Sequence, residues 1–201
     1  MKTVCAKYED VCKEMLPGDL IAFGGTGCIS YTIKTVTRSP VSHVGVILSN
    51  AIYCGIAFAM IAESTSLDDV DTIGVQFNRL SDRIKGYEGS VWWLPLADDV
   101  RATLNVPDLA SFLVSQKGKK YDTYQAVMSA VDFIPDTDEN LDRLFCSEYV
   151  VAAWEEGFKK NFTARTEFLR NINASEVTPA DILKFDIYRG VYQLKGELKE
   201  L

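Results

Sequence analysis

Cys146, His43 and Glu63 are the residues of this sequence whose types and placement can do chemistry together. Cys146 stands second in the run 145–158, in which Cys146, Tyr149, Val150, Ala153, Trp154 and Gly157 form one apolar stripe at helical spacing while Glu155 and Glu156 lie off it. At the first turn of a helix a cysteine meets unpaired N–H groups and the positive end of the macrodipole, which favour thiolate over thiol. The alternative is a small buried residue on the stripe, the ordinary place of a free cysteine. His43 is the single histidine. In Ser42-His43-Val44-Gly45-Val46-Ile47-Leu48, alternation puts His43, Gly45 and Ile47 on one side of a strand. A lone strand histidine ordinarily packs, but a cysteine or serine nucleophile that needs an imidazole base has only His43 to use. No Gly-x-Ser-x-Gly elbow occurs, so cysteine is the better nucleophile.

Glu63 ends the apolar run 56–62 abruptly. If strands 42–48 and 57–63 form an antiparallel hairpin turning near Tyr53-Cys54, residues whose numbers total about 106 face each other, as His43 and Glu63 do. A carboxylate there accepts an imidazole N–H, fixes the tautomer and stabilises the imidazolium. The alternative, that Glu63 marks where the strand reaches solvent, stands until the register is known.

The elements that must position these residues are legible in outline. Val4, Tyr8, Val11, Cys12 and Met15 share a helical face that Pro17-Gly18 ends, which predicts an N-terminal helix over 1–16. Residues 19–23 read as a strand, Gly24-Gly25-Thr26-Gly27 as a flexible loop and 29–36 as a short helix. No Gly-Lys-Ser/Thr follows the glycines, so a phosphate cradle is poorly supported. Residues 72–77 and 90–94 read as further strands of a mostly antiparallel sheet, 105–116 and 121–133 as helices, and 132–142 as an acidic surface loop. Gly157 is expected to cap the 145–158 helix. Thr178-Pro179 starts another helix, and 187–194 reads as a closing strand.

Composition excludes several alternatives. The 201 residues are 47% hydrophobic, enough for a sizeable core, with 21 Lys+Arg against 28 Asp+Glu and a net charge of −7. A phosphate-backbone binder needs clustered positive charge, so no nucleic-acid partner is expected. The five cysteines, Cys5, Cys12, Cys28, Cys54 and Cys146, have no C-x-x-C spacing, which predicts a reducing compartment and, with one histidine, no metal site. From Ser39 to Ala62 no side chain is charged, but Pro40, Ser42, His43, Gly45, Ser49, Asn50 and Gly55 break the run into two strands rather than a membrane span. The charged start Met1-Lys2-Thr3-Val4-Cys5-Ala6-Lys7-Tyr8-Glu9-Asp10 has no apolar leader, which predicts a cytoplasmic protein. With no repeat or linker, one α+β domain over 1–201 is the simplest organisation: the 1–16 helix, a core over 17–185, and a strand and tail over 186–201.

In order along the chain, Pro17-Gly18-Asp19-Leu20-Ile21, Ser42-His43-Val44-Gly45-Val46, Glu63, Lys119-Lys120-Tyr121-Asp122, Phe145-Cys146-Ser147-Glu148-Tyr149-Val150 and Thr178-Pro179-Ala180-Asp181-Ile182 span roughly residues 17–185. This series resembles the circularly permuted papain-like NlpC/P60 enzymes, including the YiiX-type bacterial and poxviral proteins and, more distantly, the lecithin:retinol acyltransferase-like proteins. The resemblance implies a permuted papain-like fold, a central antiparallel sheet packed against helices, with the histidine strand ahead of the cysteine helix. It implies Cys146 as nucleophile, His43 as base and Glu63 as its orienter, with Tyr121 and Ser147 as candidates for substrate or oxyanion contact and no cofactor. The activity implied is cleavage of a peptide or isopeptide amide through a thioester. The alternatives are hydrolysis or acyl transfer on a lipid ester or amide, and a non-catalytic structural or binding module; a viral member would work in the virion or host cell.

Overall fold

The computed structural model describes residues 2–65, 74–120 and 145–201. Among them seven strands form one mixed sheet in the order β1-β7-β6-β2-β3-β4-β5. These are β1 (Thr3–Cys5), β2 (Leu20–Gly25), β3 (His43–Tyr53), β4 (Ile56–Thr65), β5 (Gly74–Arg79), β6 (Gly89–Leu94) and β7 (Val191–Lys195). All neighbours are antiparallel except β1 and β7, which run parallel. The described helices are α1 (Tyr8–Val11), α2 (Cys28–Thr37), α3 (Leu80–Gly86), α4 (Asp98–Arg101), α5 (Val106–Ser115), α6 (Cys146–Phe158) and α7 (Pro179–Ile182). The expected α+β class is observed; none of the described helices is long and apolar enough to cross a membrane.

The sheet is covered on both faces, so its central strands β2 and β6 are almost wholly buried instead of alternating. On one face Leu20, Ala22, Val44, Val46, Ala62, Val75 and Leu94 pack with α5 and α6. On the other, Ile21, Phe23, Ile47, Ile61, Val91 and Trp93 pack with Leu80 of α3 and with Tyr8, Cys12 and Met15. The α6 stripe is fully buried at Tyr149 and Trp154, as is Phe158 at the end of the helix, each worth about 1.5–3 kcal/mol when removed from water. The polar tips are satisfied: Tyr149 donates to the Leu113 carbonyl at 2.8 Å, and Trp154 Nε1 to the Gly18 carbonyl at 3.0 Å.

The β3–β4 hairpin turns at Cys54-Gly55, both at positive φ, between the paired residues Tyr53 and Ile56. Past an irregularity between Ile47 and Ser49, Val46 faces Ala62. Continued, that register puts Gly45, not His43, opposite Glu63. The expected pairing is therefore off by two residues, because the turn lies later than Tyr53-Cys54 and the irregularity takes back one residue of that shift. An even error keeps every side chain on its predicted face, whereas an odd one would have reversed them all.

Other expectations need correction. The N-terminal 1–16 segment is not one helix: β1 pairs with β7, then α1 and a 3₁₀ turn (Cys12–Glu14) follow. Tyr8, Cys12 and Met15 are buried as their spacing foretold, but Val4 sits exposed on β1. Gly24 and Gly25 are no loop; they extend β2 and pair with Ser90 and Gly89. A Cβ on Gly24 would lie 2.4 Å from the Pro40 carbonyl oxygen, so glycine here permits close approach. Gly157 does not cap α6, which runs through Phe158 to a cap at Lys159. A Cβ on Gly157 would lie 2.6 Å from Leu104 Cδ1, which accounts for glycine inside the helix. Thr178 does cap α7, exchanging hydrogen bonds with Asp181 three residues on. The expected 121–133 helix, the expected 132–142 loop and Tyr121 lie outside the described residues.

Candidate functional site

His43 is the first residue of β3 and pairs with Phe23 of β2, whose ring centroid is 5.3 Å away. Glu63 lies in β4, fully buried, opposite Gln76 of β5. The two meet diagonally across the hairpin, His43 Nε2 donating to Glu63 Oε2 at 2.8 Å. Gly45 lies between them in register, and a Cβ there would stand 2.7 Å from Ile61 Cδ1 and 3.0 Å from the Ala62 carbonyl oxygen.

Glu63 carries more than one partner. Arg83 of α3 donates through Nε to Oε1 at 2.5 Å and through Nη2 to Oε2 at 3.0 Å, and Asn78 Nδ2 donates to Oε1 at 3.0 Å. Four donors thus converge on a carboxylate with about four lone-pair sites. Burial alone would push the Glu63 carboxyl up, but His43 and Arg83 outweigh it and bring it down to about 2. Burial would likewise push the His43 imidazole down, yet the charge and hydrogen bond of Cys146, followed by Glu63, raise it to about 9. With Nε2 on Glu63, Nδ1 is the nitrogen left for the Cys146 sulfur.

Cys146 is the first residue of α6, 2% exposed, and that helix packs against β3 and β4. Its N-cap is Phe145, which has no acceptor on its side chain; the Phe145 N–H instead donates to Glu148 Oε2 at 3.4 Å. No N-cap side chain therefore occupies the first-turn N–H groups, including those of Cys146 and Ser147. Ser147 is fully buried, and its Oγ has no hydrogen-bond partner among the described residues.

The structure thus brings Cys146, His43 and Glu63 together, with Ser147 next along α6; Tyr121 lies outside the described residues. Sequence reasoning missed Arg83, Asn78 and Tyr87. Arg83 Cζ lies 5.4 Å from the Phe23 ring centroid and 5.7 Å from that of Tyr87. Burial raises the Tyr87 phenol to about 12 against the pull of Arg83 and a hydrogen bond with Ser42. One signal could have pointed to Arg83: a carboxylate on a buried strand needs a cation besides an imidazole. Among the described residues no three His, Cys, Asp or Glu side chains gather as a metal ion would require.

No family model matches the chain, and no curated protein is similar to it. Among solved structures, it is similar to the crystal structure of the metalloprotein YiiX from Escherichia coli O157:H7, with a TM-score of 0.52 at 18% identity. The likeness covers 92% of this chain and 99% of that one. At that identity it establishes the fold: this chain has a YiiX-type α+β architecture.

Proposed function

We propose that this chain is a thiol hydrolase of the circularly permuted papain-like NlpC/P60 type, cleaving an amide through a thioester with Cys146, His43 and Glu63. The observation that carries the reading is one imidazole held between a buried carboxylate and the sulfur at a helix start. With His43 raised to about 9, its proton resides on the imidazole at neutral pH, and the proposed attacking species is the Cys146 thiolate paired with it. Cys146 Sγ adds to the substrate carbonyl carbon, and the oxygen, now negative, accepts from the N–H groups of Cys146 and Ser147 at the start of α6. His43 Nδ1 gives its proton to the leaving nitrogen as the C–N bond breaks, leaving the thioester and a neutral imidazole. That imidazole takes a proton from water, whose oxygen attacks the thioester; the acid departs and the thiolate and imidazolium are restored. Glu63 keeps the Nε2–H bond throughout, fixing the ring and its tautomer.

YiiX is described as a metalloprotein. The donor set at this site does not fit a metal: both Glu63 oxygens accept from Arg83, whose positive charge opposes a cation, and only one imidazole is present. In this proposal the reaction therefore runs through side chains alone. The test is to screen wild type and Cys146→Ala against peptide, isopeptide, lipid-ester and lipid-amide substrates. The proposal expects turnover of an amide by the wild type and none by the variant; equal turnover by both would overturn it.

A further inference from the structure

Arg83 takes no part in the bond changes of the reaction, yet it contacts their machinery directly. Its guanidinium contacts both oxygens of Glu63, and Asn78 Nδ2 donates to Oε1 as well. The Arg83 side chain is only 12% exposed, and the rings of Phe23 and Tyr87 lie against it. Phe23 also lies against the His43 ring, so one aromatic side chain backs both cations.

Two physical consequences follow. A fork on a carboxylate fixes its plane as a single contact does not, which leaves one direction of Oε2 open toward Nε2 of His43. A buried carboxylate facing only an imidazolium would also bind it tightly and resist surrender of its proton, because the pair is little screened. A second, permanent cation on the same oxygens divides that attraction.

Resting on the reading of His43 as the base, we infer that Arg83 is a positioning residue: it fixes Glu63 as an anion aimed at His43 and limits how tightly Glu63 holds the imidazolium. Among the described residues, the charged or titratable groups that act on His43 are Glu63 from β4 and Cys146 from α6; Arg83 of α3 reaches it through Glu63, and Tyr87, the C-cap of α3, lies beyond Phe23. The β2 neighbour, Phe23, is uncharged. Removing the Arg83 charge leaves Glu63 to His43 alone, so the imidazolium persists to higher pH. Keeping the charge without the fork, as lysine does, leaves the titration in place but loosens the geometry.

The chain has one histidine, so its imidazole resonances need no assignment. NMR titration of wild type, Arg83→Met and Arg83→Lys reads His43 directly and without a substrate. The inference expects the Arg83→Met midpoint to rise by about one pH unit and Arg83→Lys to stay close to the wild type, with kcat of Arg83→Lys reduced and the limbs of its pH profile unmoved. A folded Arg83→Met with the wild-type midpoint overturns it, as does an equal shift in both variants. If Arg83→Met does not fold, a displaced midpoint in Arg83→Lys overturns it instead. Absence of any Cys146-dependent turnover would defeat the hydrolase reading, while the His43 titration would still decide the role of Arg83.

Discussion

Replacing Glu63 by glutamine removes one charge from a buried cluster and keeps the shape. Glu63 is held at about 2 against an ordinary 4.5, and each pH unit is worth about 1.4 kcal/mol, so its ionised form contributes roughly 3 kcal/mol. His43, raised from 6.5 to about 9, gives a similar figure, but it includes the same contact seen from the other partner, and the two are not added. Neither group is screened, the carboxylate being fully buried and the imidazole 11% exposed. In Glu63→Gln the amide NH₂ also turns toward donors, against either His43 Nε2 or Arg83 Nη2, and the Arg83 charge loses its partner. Breaking a buried pair in this way costs about 3–5 kcal/mol, equivalent to a melting temperature roughly 10 °C lower for a chain of this length. The sign of the pH dependence is fixed. The Glu63 share is complete above pH 4.5 and is lost as pH falls through about 2; the His43 share is complete below pH 6.5 and is lost as pH rises through about 9. The deficit of the variant is therefore largest between pH 4.5 and 6.5 and shrinks, without vanishing, toward pH 9.5, where Arg83 still pairs with the wild-type carboxylate. Urea unfolding of both proteins at pH 5.5, 7.5 and 9.5, followed by tryptophan fluorescence, measures it. A deficit below 1 kcal/mol at pH 5.5, or one that grows toward pH 9.5, would refute the reasoning.

Two further substitutions test packing away from the site. Asp19 accepts from Arg101, Trp93 Nε1 and the N–H groups of Leu16 and Leu96, so Asp19→Ala leaves a guanidinium and three donors unmatched. It should lose about 3–5 kcal/mol in urea unfolding while the His43 titration stays at the wild-type midpoint. Gly157→Val must displace Leu104 and crowd Leu109, and should lose about 1–3 kcal/mol by the same measurement; an unchanged unfolding midpoint would show that α6 and α5 do not pack as described.

The parts of this site that sequence made legible are those set by short-range rules. Cys146 declared itself through a 3.6-residue stripe with a clear start, and His43 through alternation and by being alone. Glu63 was found by assuming a hairpin, and the contact survives a two-residue error because side chains alternate with period two and both are long enough to meet diagonally. Arg83 and Asn78 were not legible. They arrive from α3 and β5, and no local pattern says which of Arg79, Arg83 and Lys85 will face Glu63. The N-terminus failed for a related reason: the helical spacing correctly marked Tyr8, Cys12 and Met15 for burial, but pairing of β1 with β7, nearly the whole chain away, overrides it. Gly24, Gly25 and Gly157 were read by propensity, whereas close approach determines them: Pro40 and Trp92 to Gly24, Ser30 and Tyr87 to Gly25, and Leu104 to Gly157.

The account turns on Cys146 being made nucleophilic by His43. Site-resolved mass spectrometry of iodoacetamide labelling across pH 5–9 tests this directly, with the exposed Cys5 and Cys54 as controls in the same molecule. The account predicts that at pH 6 Cys146 is labelled about tenfold faster than either control, and that His43→Ala abolishes the advantage. Labelling of Cys146 no faster than Cys5 and Cys54, or unaffected by loss of the imidazole, would contradict it.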